Sequence, residues 1–376
     1  MRITIEQPQL LKILQAIEHA VNDRSALPIL ANVLLETKDQ ELILTATDLD
    51  VGVRYQLPLA ERPEQGSVTI PARRLSTIIR ELPQEPVTLE AKNNHTTIVT
   101  CGASRFRIPG LPAEDFPIFP PLEHTTTMTI PQPTLKALIE RTAFAMSLEE
   151  TRFILNGALV KASQQTLQVV ATDGRRLALA SAKVDGGQAD FALVVPSKTI
   201  RELGRLLQDD EDPVTIASLK DNQVLFRFSA EGGSASGGGA TITVITRLIE
   251  GQFPPYDSVI PPPAPSTLTC SRALLMSAVR RASLMTTATS QAVVFEVGKD
   301  ALVVSKESPE LGSAREEMGA AFAGEPMTVA FNPEFWLDVL KVLEDDSLSI
   351  ELTSPEKPAV IRQPNFLYLV LPMKLA

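Results

Sequence analysis

Apolar residues recur at helical spacing in six segments of the chain. In the first segment, Leu10, Leu14, Ile17 and Val21 fall three or four residues apart, which gives a helix with one apolar face. This spacing predicts helices over residues 8–21, 72–82, 133–146, 198–207, 271–283 and 334–343. Between them lie alternating apolar and polar stretches that predict strands, such as ELILTATDLDVGV from Glu41 and TLQVVATDGRRLALA from Thr166.

The predicted elements occur three times in one order: an early helix, strands, a second helix that follows a strand, and a strand-rich end. Thr47-Asp48 and Thr172-Asp173 lie 125 residues apart, as do Pro71 and Pro196, each of which opens a second helix. In the third copy Asn332 takes that position as a helix cap, with Pro333 behind it. A period of this length is too long for a solenoid, so each copy can bury a core of its own.

Proline-rich joints separate the copies, FPIFPPLEH from Phe116 and FPPYDSVIPPPAPS from Phe253. Proline fixes φ and removes a backbone donor, so these joints are expected to be extended linkers. The sequence therefore predicts an α+β protein of three similar domains, at residues 1–126, 127–263 and 264–376, each with two helices on antiparallel sheet. The segment EGGSASGGG from Glu231 is expected to be a hairpin tip.

Composition is that of a soluble globular protein, with 44% hydrophobic and 21% charged residues among 376. No uninterrupted apolar run is long enough to span a membrane, and the N-terminus lacks the features of a signal peptide. The two cysteines, Cys101 and Cys270, are far apart and form no metal-ligand pattern. We therefore expect a cytoplasmic protein with no metal and no cofactor.

Charge is unevenly distributed along the chain. The net charge of −10 argues against a nucleic-acid partner, because DNA-binding domains are usually basic overall. The six predicted helices, however, carry thirteen basic and six acidic residues, a charge of +7, which leaves −17 for the remainder. Lysine and arginine are also good helix formers, which is the simpler explanation. Together with the threefold repeat, the segregation favours a surface that faces phosphates.

At this point the chain resembles the beta subunit of bacterial DNA polymerase III, the sliding clamp family, over its full length. The most specific segments are TRFILNGAL from Thr151, ATDGRRLA from Ala171, FPPYDSVIP from Phe253, FNPEFWLDVL from Phe331 and the C-terminal LVLPMKL. The resemblance implies a ring of two subunits joined head to tail, with twelve helices lining a hole for duplex DNA. Helices spaced about 10 Å apart would leave a hole of roughly 28 Å, enough for a duplex roughly 20 Å wide.

The resemblance also implies a non-catalytic processivity factor with several partners. These are double-stranded DNA bound without sequence preference, a second copy of the chain, the polymerase III alpha subunit and the clamp loader. Other polymerases and repair or initiation-control proteins would use the same peptide pocket, and no membrane partner is expected.

By resemblance, the peptide pocket is formed by residues of the second domain, the following linker, the third domain and the C-terminus: Leu155, Thr172, Gly174, Arg175, Arg176, Leu177, Pro254, Ser258, Val259, Asn332, Phe335, Leu369, Val370, Leu371, Pro372, Met373, Lys374 and Leu375. Leu, Val, Pro and Met suit an adaptable apolar groove. Taken alone, LVLPMKL is an ordinary edge strand. Arg175, Leu371 and Lys374 depart from the family pattern, where histidine, methionine and arginine stand, and we expect them to alter peptide preference.

Two further sets of residues follow from the resemblance. DNA contacts are expected from Arg24, Arg73, Arg80, Arg152 and Lys198, although Glu149 beside Arg152 replaces an expected neutral residue. The ring seam is expected to join Arg74, Ile78, Phe106 and Ile108 of one subunit to Leu284 and Met285 of the other. Charge pairing of Arg74 or Arg105 with Glu316 across the seam is a weaker expectation.

Two other classes of function compete with this interpretation. An enzyme could use the aspartates of TDLD and TDGRR, but His19, His95 and His124 lack neighbouring ligands, and no phosphate-binding or nucleophile motif is present. The recurrence of Asp48 and Asp173 favours a turn-forming role instead. An interaction scaffold without DNA would explain the acidity and the pocket, but it leaves the basic helices unexplained.

Overall fold

The structure of the protein is a computed structural model. It describes residues 1–120, 124–163, 165–184, 190–230 and 239–374. The first copy of the repeat contains β1 (Arg2–Glu6), α1 (Gln7–Ile17), β2 (Asn32–Lys38), β3 (Glu41–Thr47), β4 (Val51–Pro58), β5 (Gly66–Pro71), α2 (Ala72–Glu81), β6 (Pro86–Ala91), β7 (Thr96–Cys101) and β8 (Ser104–Pro109). The expected hairpin tip at 231–239 lies almost wholly outside the described residues.

The second and third copies have the same order of elements. The second contains β9 (His124–Pro131), α3 (Gln132–Glu140), β10 (Gly157–Ser163), β11 (Thr166–Thr172), β12 (Arg176–Lys183), β13 (Phe191–Pro196), α4 (Ser197–Leu206), β14 (Pro213–Leu219), β15 (Gln223–Ser229) and β16 (Thr241–Arg247). The third contains β17 (Thr267–Ser271), α5 (Arg272–Ala282), β18 (Val293–Val297), β19 (Ala301–Ser308), β20 (Gly312–Ala323), β21 (Met327–Phe331), α6 (Pro333–Val342), β22 (Ser347–Glu351), β23 (Ala359–Gln363) and β24 (Phe366–Val370).

The repeat is regular where the first two copies are compared. The five elements from β2 to α2 reappear as β10 to α4, and every boundary is shifted by 125 residues. The third copy keeps the order but changes the spacing, and its β20 extends to twelve residues. The order of helices and strands therefore confirms the threefold α+β repeat that the sequence predicts.

The strands form antiparallel sheets that do not stop at the ends of the copies. One sheet has the order β5-β2-β3-β4-β16-β15-β14-β9, so the last strand of the second copy pairs with β4 of the first. A longer sheet has the order β13-β10-β11-β12-β24-β23-β22-β17-β20-β19-β18-β21, so the last strand of the third copy pairs with β12 of the second. A four-stranded sheet, β1-β6-β7-β8, belongs to the first copy alone.

Two compact units result from this pairing. Unit 1 comprises Met1–Lys136, Val184–Ala189 and Lys198–Leu248, and it contains the four-stranded and eight-stranded sheets. Unit 2 comprises Ala137–Lys183, Asp190–Ser197 and Ile249–Ala376, and it contains the twelve-stranded sheet. The second copy is thus shared between the units, because each half of it is hydrogen-bonded to a different neighbour. The sequence repeat and the compact units are different divisions of the chain.

The helices pack their apolar faces on one another and on the sheets. In unit 1, α1 contacts α2, β3 and β4, and it buries Leu10, Ile13, Leu14 and Ile17. In unit 2, α5 contacts α6 and β20, and an aromatic cluster of Phe295, Phe331 and Trp336 has ring centroids 5.3–5.4 Å apart. None of the helices in the described part of the chain has the length and apolar character that a membrane crossing requires.

Four of the six predicted helices agree with the structure to within one residue at each end, and two were predicted too long. The helix predicted to reach residue 21 ends at Ile17 and tightens into a 3₁₀ turn over Glu18–Ala20. The helix predicted to reach 146 ends at Glu140, where the hydroxyl of Thr142 donates to the carbonyl of Leu138 at 2.7 Å. That bond satisfies a carbonyl which a continuing helix would use.

The two Thr-Asp pairs form the same turn. The hydroxyl of Thr47 accepts from the amide of Leu49 at 3.0 Å, and the Asp48 carboxylate accepts from the amide of Val51 at 2.8 Å. In the second copy, the hydroxyl of Thr172 accepts from Gly174, and Asp173 accepts from Arg175 and Arg176. These aspartates therefore satisfy backbone donors, and within the described residues no cluster of His, Cys, Asp or Glu could hold a metal ion.

The residue after the aspartate has a left-handed backbone conformation in both turns, but it is a glycine in only one of them. Leu49 has a φ of +82°, and its repeat equivalent, Gly174, has a φ of +86°. The left-handed region is free of strain for glycine but costs an L residue with a side chain about 1–2 kcal/mol. The first copy therefore retains a strained leucine where the second has glycine.

We expect Leu49→Gly to raise the free energy of unfolding by about 1 kcal/mol, because relief of strain exceeds the added entropy of the unfolded chain. Scanning calorimetry would show the rise as a higher transition temperature. Leu49→Ala keeps a Cβ and should give no gain. Gly174→Ala should be destabilising, since its Cβ would lie 2.7 Å from Nη1 of Arg152 at a φ of +86°. A lower transition temperature for Leu49→Gly would contradict the strain argument.

Candidate functional site

A cavity of about 280 Å³ lies in unit 2, beside the Thr172–Arg176 turn. Its walls come from that turn, the start of β12, the linker after Phe253 and the end of β24, which pairs with β12 through Leu177 and Leu369. We name it the C-terminal cavity. Eleven of the eighteen residues expected for the peptide pocket line it: Leu155, Thr172, Gly174, Arg175, Arg176, Leu177, Pro254, Ser258, Val259, Leu369 and Leu371.

Six other expected pocket residues do not line the cavity. Asn332 caps α6, where its Oδ1 accepts from the amide of Glu334 at 2.9 Å, and Val370 is buried within β24. The carbonyl of Phe335 accepts from the hydroxyl of Tyr368 at 2.8 Å. Pro372, Met373 and Lys374 follow β24, where the amide of Met373 donates to the carbonyl of Ala330 at 2.7 Å. Leu375 lies outside the described residues. The six described residues of this group therefore either support the wall of the cavity or lie beyond it.

Sequence reasoning missed two lining residues, Pro255 and Tyr256. Tyr256 packs against Phe253 with ring centroids 6.5 Å apart, and burial raises the pKa of its hydroxyl, with a further contribution from Asp257. An aromatic residue after two prolines could have indicated a packed linker. The linker was instead predicted as an extended joint that contributes Pro254, Ser258 and Val259 to the pocket.

Arg176 holds the cavity wall together. Its Nε donates to Asp173 at 3.0 Å, its Nη1 to Asp338 of α6 at 2.9 Å and its Nη2 to the carbonyl of Phe144 at 2.6 Å. The guanidinium carbon lies 4.4 Å from the ring centroid of Phe335, a cation–π distance. Only 10% of the side chain is exposed. Each of the three guanidinium nitrogens therefore donates a hydrogen bond within the protein.

The electrostatics of Arg176 follow from this burial. Burial lowers its pKa, but the hydrogen bond to Asp338 and the charges of Asp173 and Asp338 more than offset that effect, so the pKa is raised overall. Tyr368 is deeply buried beside it, and burial raises the pKa of its hydroxyl. Arg175, the adjacent residue, is exposed and its side chain lines the cavity rim. Both arginines line the cavity, but Arg176 is buried and bonded within the protein whereas Arg175 is exposed.

Three family models cover almost the whole chain. They describe the N-terminal, central and C-terminal domains of the DNA polymerase III beta subunit, and they match residues 1–120, 129–255 and 257–374. The chain belongs to the beta sliding clamp family. It is 34% identical to the beta sliding clamp of Pseudomonas putida and 32% identical to that of Escherichia coli K12, over the full length of each chain. As a member of this family, it is a DNA sliding clamp and not an enzyme.

Solved clamp structures have the same fold. The sliding clamp of Bacillus subtilis superposes with a TM-score of 0.90 at 30% identity, and that of Bartonella birtlesii bound to griselimycin with 0.91 at 30% identity. In both comparisons the whole of each chain is covered. The clamp fold predicted from the sequence is therefore confirmed.

The five basic residues expected to contact DNA in this clamp are all exposed. Arg73 is paired with Asp23 at 2.9 Å, Lys198 with Asp48, and Arg152 with Glu149 at 3.5 Å. Within the described residues, the side chains of Arg24 and Arg80 have no ion pair. Arg205, another basic residue of α4, donates instead to the carbonyls of Gln15 and Ala16 at the end of α1, so it is a structural residue.

The residues expected at the ring seam differ in accessibility. Phe106 and Leu284 are exposed, Arg74 is exposed, and Ile78 and Met285 are half-buried. Ile108 is only 1% exposed, because it points from β8 into the core of its own sheet, so its side chain offers a partner almost no surface. Glu316 accepts from Arg281 of the same chain at 2.6 and 2.9 Å, and this bond lowers the pKa of Glu316. The expected pairing with Arg74 or Arg105 of a second copy stays a prediction, and in a dimer it would compete with the Arg281 bond.

We expect Arg176→Ala to lower the free energy of unfolding by about 3 kcal/mol, since it leaves the carboxylates of Asp173 and Asp338 without their buried partner. Calorimetric unfolding and urea titration would measure the loss. Arg175→Ala is the matched control, because the same residue type is removed one position earlier from an exposed site, and it should change stability by about 0.5 kcal/mol or less. Equal effects of the two changes would refute the structural role of Arg176.

Proposed function

We propose that two copies of this clamp close into a ring around duplex DNA and hold the replicative polymerase on it. The observation that carries this proposal is the charge of the helices. The six observed helices contain twelve basic and five acidic side chains, a charge of +7, in a chain whose net charge is −10. A basic surface on an acidic protein fits contact with phosphates on one face only.

The basic side chains are arranged for weak contact. Arg24 and Arg80 are exposed, and Lys198 is half exposed beside the nearly buried carboxylate of Asp48. Arg73 is in an exposed pair with Asp23, and pairs of that kind contribute little to stability and are screened by salt. Phosphates can replace such partners at little cost. A ring that surrounds DNA needs no tight grip, because it is retained by closure, and weak screened attraction permits sliding.

Ring closure is supported by the pairing pattern of the repeat. β16 pairs with β4, and β24 pairs with β12, so the last strand of a copy joins the fourth strand of the copy before it. The last strand of the first copy, β8, is an edge strand, and the equivalent fourth strand of the third copy is β20. Pairing of β8 with β20 of a second copy would complete the pattern and give a head-to-tail dimer.

The side chains on these two strands suit such a pairing. β8 has the sequence SRFRIP, with Arg105, Phe106 and Arg107 exposed, whereas the facing part of β20 carries Glu316 and Glu317. β8 is an edge strand, and among the described strands Gly312–Gly319 of β20 pairs with β19 alone, so both segments offer backbone groups to another chain. Phe106 and Leu284 would supply apolar contact at the seam.

The C-terminal cavity is proposed as the site that recruits partners. Its apolar lining suits a short peptide with bulky apolar residues and a glutamine, and its wall is held rigid by Arg176. The polymerase III alpha subunit, the clamp loader, other polymerases and repair or initiation-control proteins are the proposed partners. The solved clamp of Bartonella birtlesii binds griselimycin, which shows that a relative is a ligand-binding protein.

Retention on DNA tests topological linkage. The clamp would be placed on nicked circular DNA by a clamp loader, separated from free protein and then exposed to a restriction enzyme at constant salt. We expect loss of about 90% or more of the bound protein on cutting, because electrostatic attraction alone is too weak to hold it at physiological salt. Protein on uncut circles is the control. Equal retention on cut and uncut DNA would mean direct adhesion and would exclude the ring.

Sedimentation tests the proposed seam. Phe106→Asp places a carboxylate in an apolar contact, and we expect the dimer dissociation constant to rise about 100-fold or more. Leu148→Asp is the matched control, because Leu148 is a more exposed leucine on a loop outside the proposed seam. Circular dichroism would verify that both variants are folded. An unchanged dimer in Phe106→Asp would contradict a seam at β8.

A further inference from the structure

Unit 1 contains a groove that no part of the proposed clamp function uses. It has a volume of about 450 Å³ and lies beside the Thr47–Gly52 turn, the end of β16 and residues 117–120 of the first proline-rich joint. We name it the linker groove. It is separate from the C-terminal cavity, and all of its lining residues belong to unit 1.

The linker groove is the repeat equivalent of the C-terminal cavity. The shift of 125 residues relates Thr47 to Thr172 and Leu49 to Gly174, and both turns line their cavities. The amide of Arg247 donates to the carbonyl of Asp50 at 3.2 Å, as the amide of Leu371 donates to the carbonyl of Arg175 at 2.8 Å. The joint FPIFP from Phe116 occupies the place of FPPYD from Phe253. The same backbone construction is therefore present twice.

The groove has an apolar wall that is exposed to solvent. The side chain of Ile118 is 93% exposed, and that of Leu49 is 51% exposed on its strained turn. Phe119 fits closely over Gly52, where an added Cβ would lie 3.2 Å from Cε2 of the ring. Two exposed aliphatic side chains beside a packed aromatic ring form a surface typical of a binding groove.

The linker groove and the C-terminal cavity differ in the charged residues that line them. Arg247 stands where the C-terminal cavity has Leu371, and Asp50 stands where it has Arg175. The guanidinium of Arg54 stacks on the ring of Phe119, with its carbon 3.9 Å from the centroid. In the described part of the chain, the guanidinium of Arg247 has no hydrogen bond or ion pair. The lining itself carries one cation, Arg247, and one carboxylate, Asp50. Because the guanidinium of Arg247 has no partner among the described residues, it can donate to a carboxylate of a ligand.

We propose that the linker groove binds an extended peptide segment of another protein, in which a bulky apolar side chain is followed by a carboxylate. The apolar side chain would lie between Ile118 and Leu49, and the carboxylate would accept from Arg247. The backbone arrangement around the linker groove suits an extended ligand, because the equivalent arrangement in unit 2 encloses the proposed peptide pocket. The clamp would then have two grooves per chain with different charge preferences.

Photocrosslinking identifies which groove a peptide occupies. The probe is the octapeptide Gly-Ser-Asp-Leu-benzoylphenylalanine-Asp-Ser-Gly, and its counterpart has both aspartates replaced by lysine. Full-length protein would be irradiated with each peptide, digested and mapped by mass spectrometry. We expect adducts of the acidic probe at residues 117–120 or 49–52, and fewer by about tenfold with the lysine probe, since an ion pair with Arg247 is lost.

Substitutions then separate the two grooves. The double change Leu49→Gly and Ile118→Ser should reduce adducts in the linker groove about tenfold, because it removes the apolar contact without burying a polar group. Arg247→Glu should reverse the preference between the two probes. Leu148→Ser, at another exposed leucine, should change nothing. Adducts at residues 254–259 report the C-terminal cavity separately, so failure of one site is distinguishable from failure of the other.

Several results would overturn the proposal. Adducts confined to residues 254–259, or absent from both grooves, would exclude peptide binding in the linker groove. Adducts at 117–120 that persist in the double variant would indicate non-specific labelling. If Ile118→Ser instead reduced self-association in sedimentation without changing the adducts, the groove would be a contact between copies of this chain and not a peptide site.

Discussion

Antiparallel pairing across the ends of the repeat copies is the interaction on which the rest of this structure depends. β4 pairs with β16 and β12 pairs with β24, so each joint between copies is spanned by a continuous sheet. Backbone hydrogen bonds fix the register of such a pair, and a slip of one residue would turn every side chain to the other face. Both cavities lie beside these pairs. β8 is left as an edge strand, and β20 pairs with β17 only at Ala320–Ala323. The same rule would therefore join β8 to Gly312–Gly319 of β20 between two chains.

The buried cation Arg176 shows how one of these joints became a rigid wall. Its three nitrogens donate to a turn, to a helix and to a carbonyl of the 3₁₀ turn Ala143–Ala145, and its guanidinium lies over the ring of Phe335. A planar guanidinium can satisfy several acceptors in one fixed geometry, which a lysine ammonium cannot do. In the first copy Val51 takes this position, so no guanidinium stands there. The two grooves therefore share a backbone arrangement but differ in the side chains that form their walls.

The charge distribution connects the fold to clamp function. The helices carry a net positive charge and the rest of the chain carries the excess of negative charge, so the net charge of −10 conceals helices that are basic. Several helical arginines are nevertheless used structurally: Arg205 binds the end of α1, and Arg272 donates to the carbonyls of Leu340 and Asp345. A count of basic residues consequently overestimates the number available to phosphates.

The sequence by itself determined the threefold repeat, the two helices of each copy and the Thr-Asp turns. These features depend on local periodicity and short-range hydrogen bonds, which the order of residues specifies directly. Resemblance supplied the residues of the pocket, and eleven of them line one cavity. Only the tertiary structure decided that Asn332 and Val370 support the wall, that Ile108 is buried, and that Glu316 pairs with Arg281. These outcomes depend on contacts between residues distant in sequence, and periodicity contains no information about which distant strands and side chains meet.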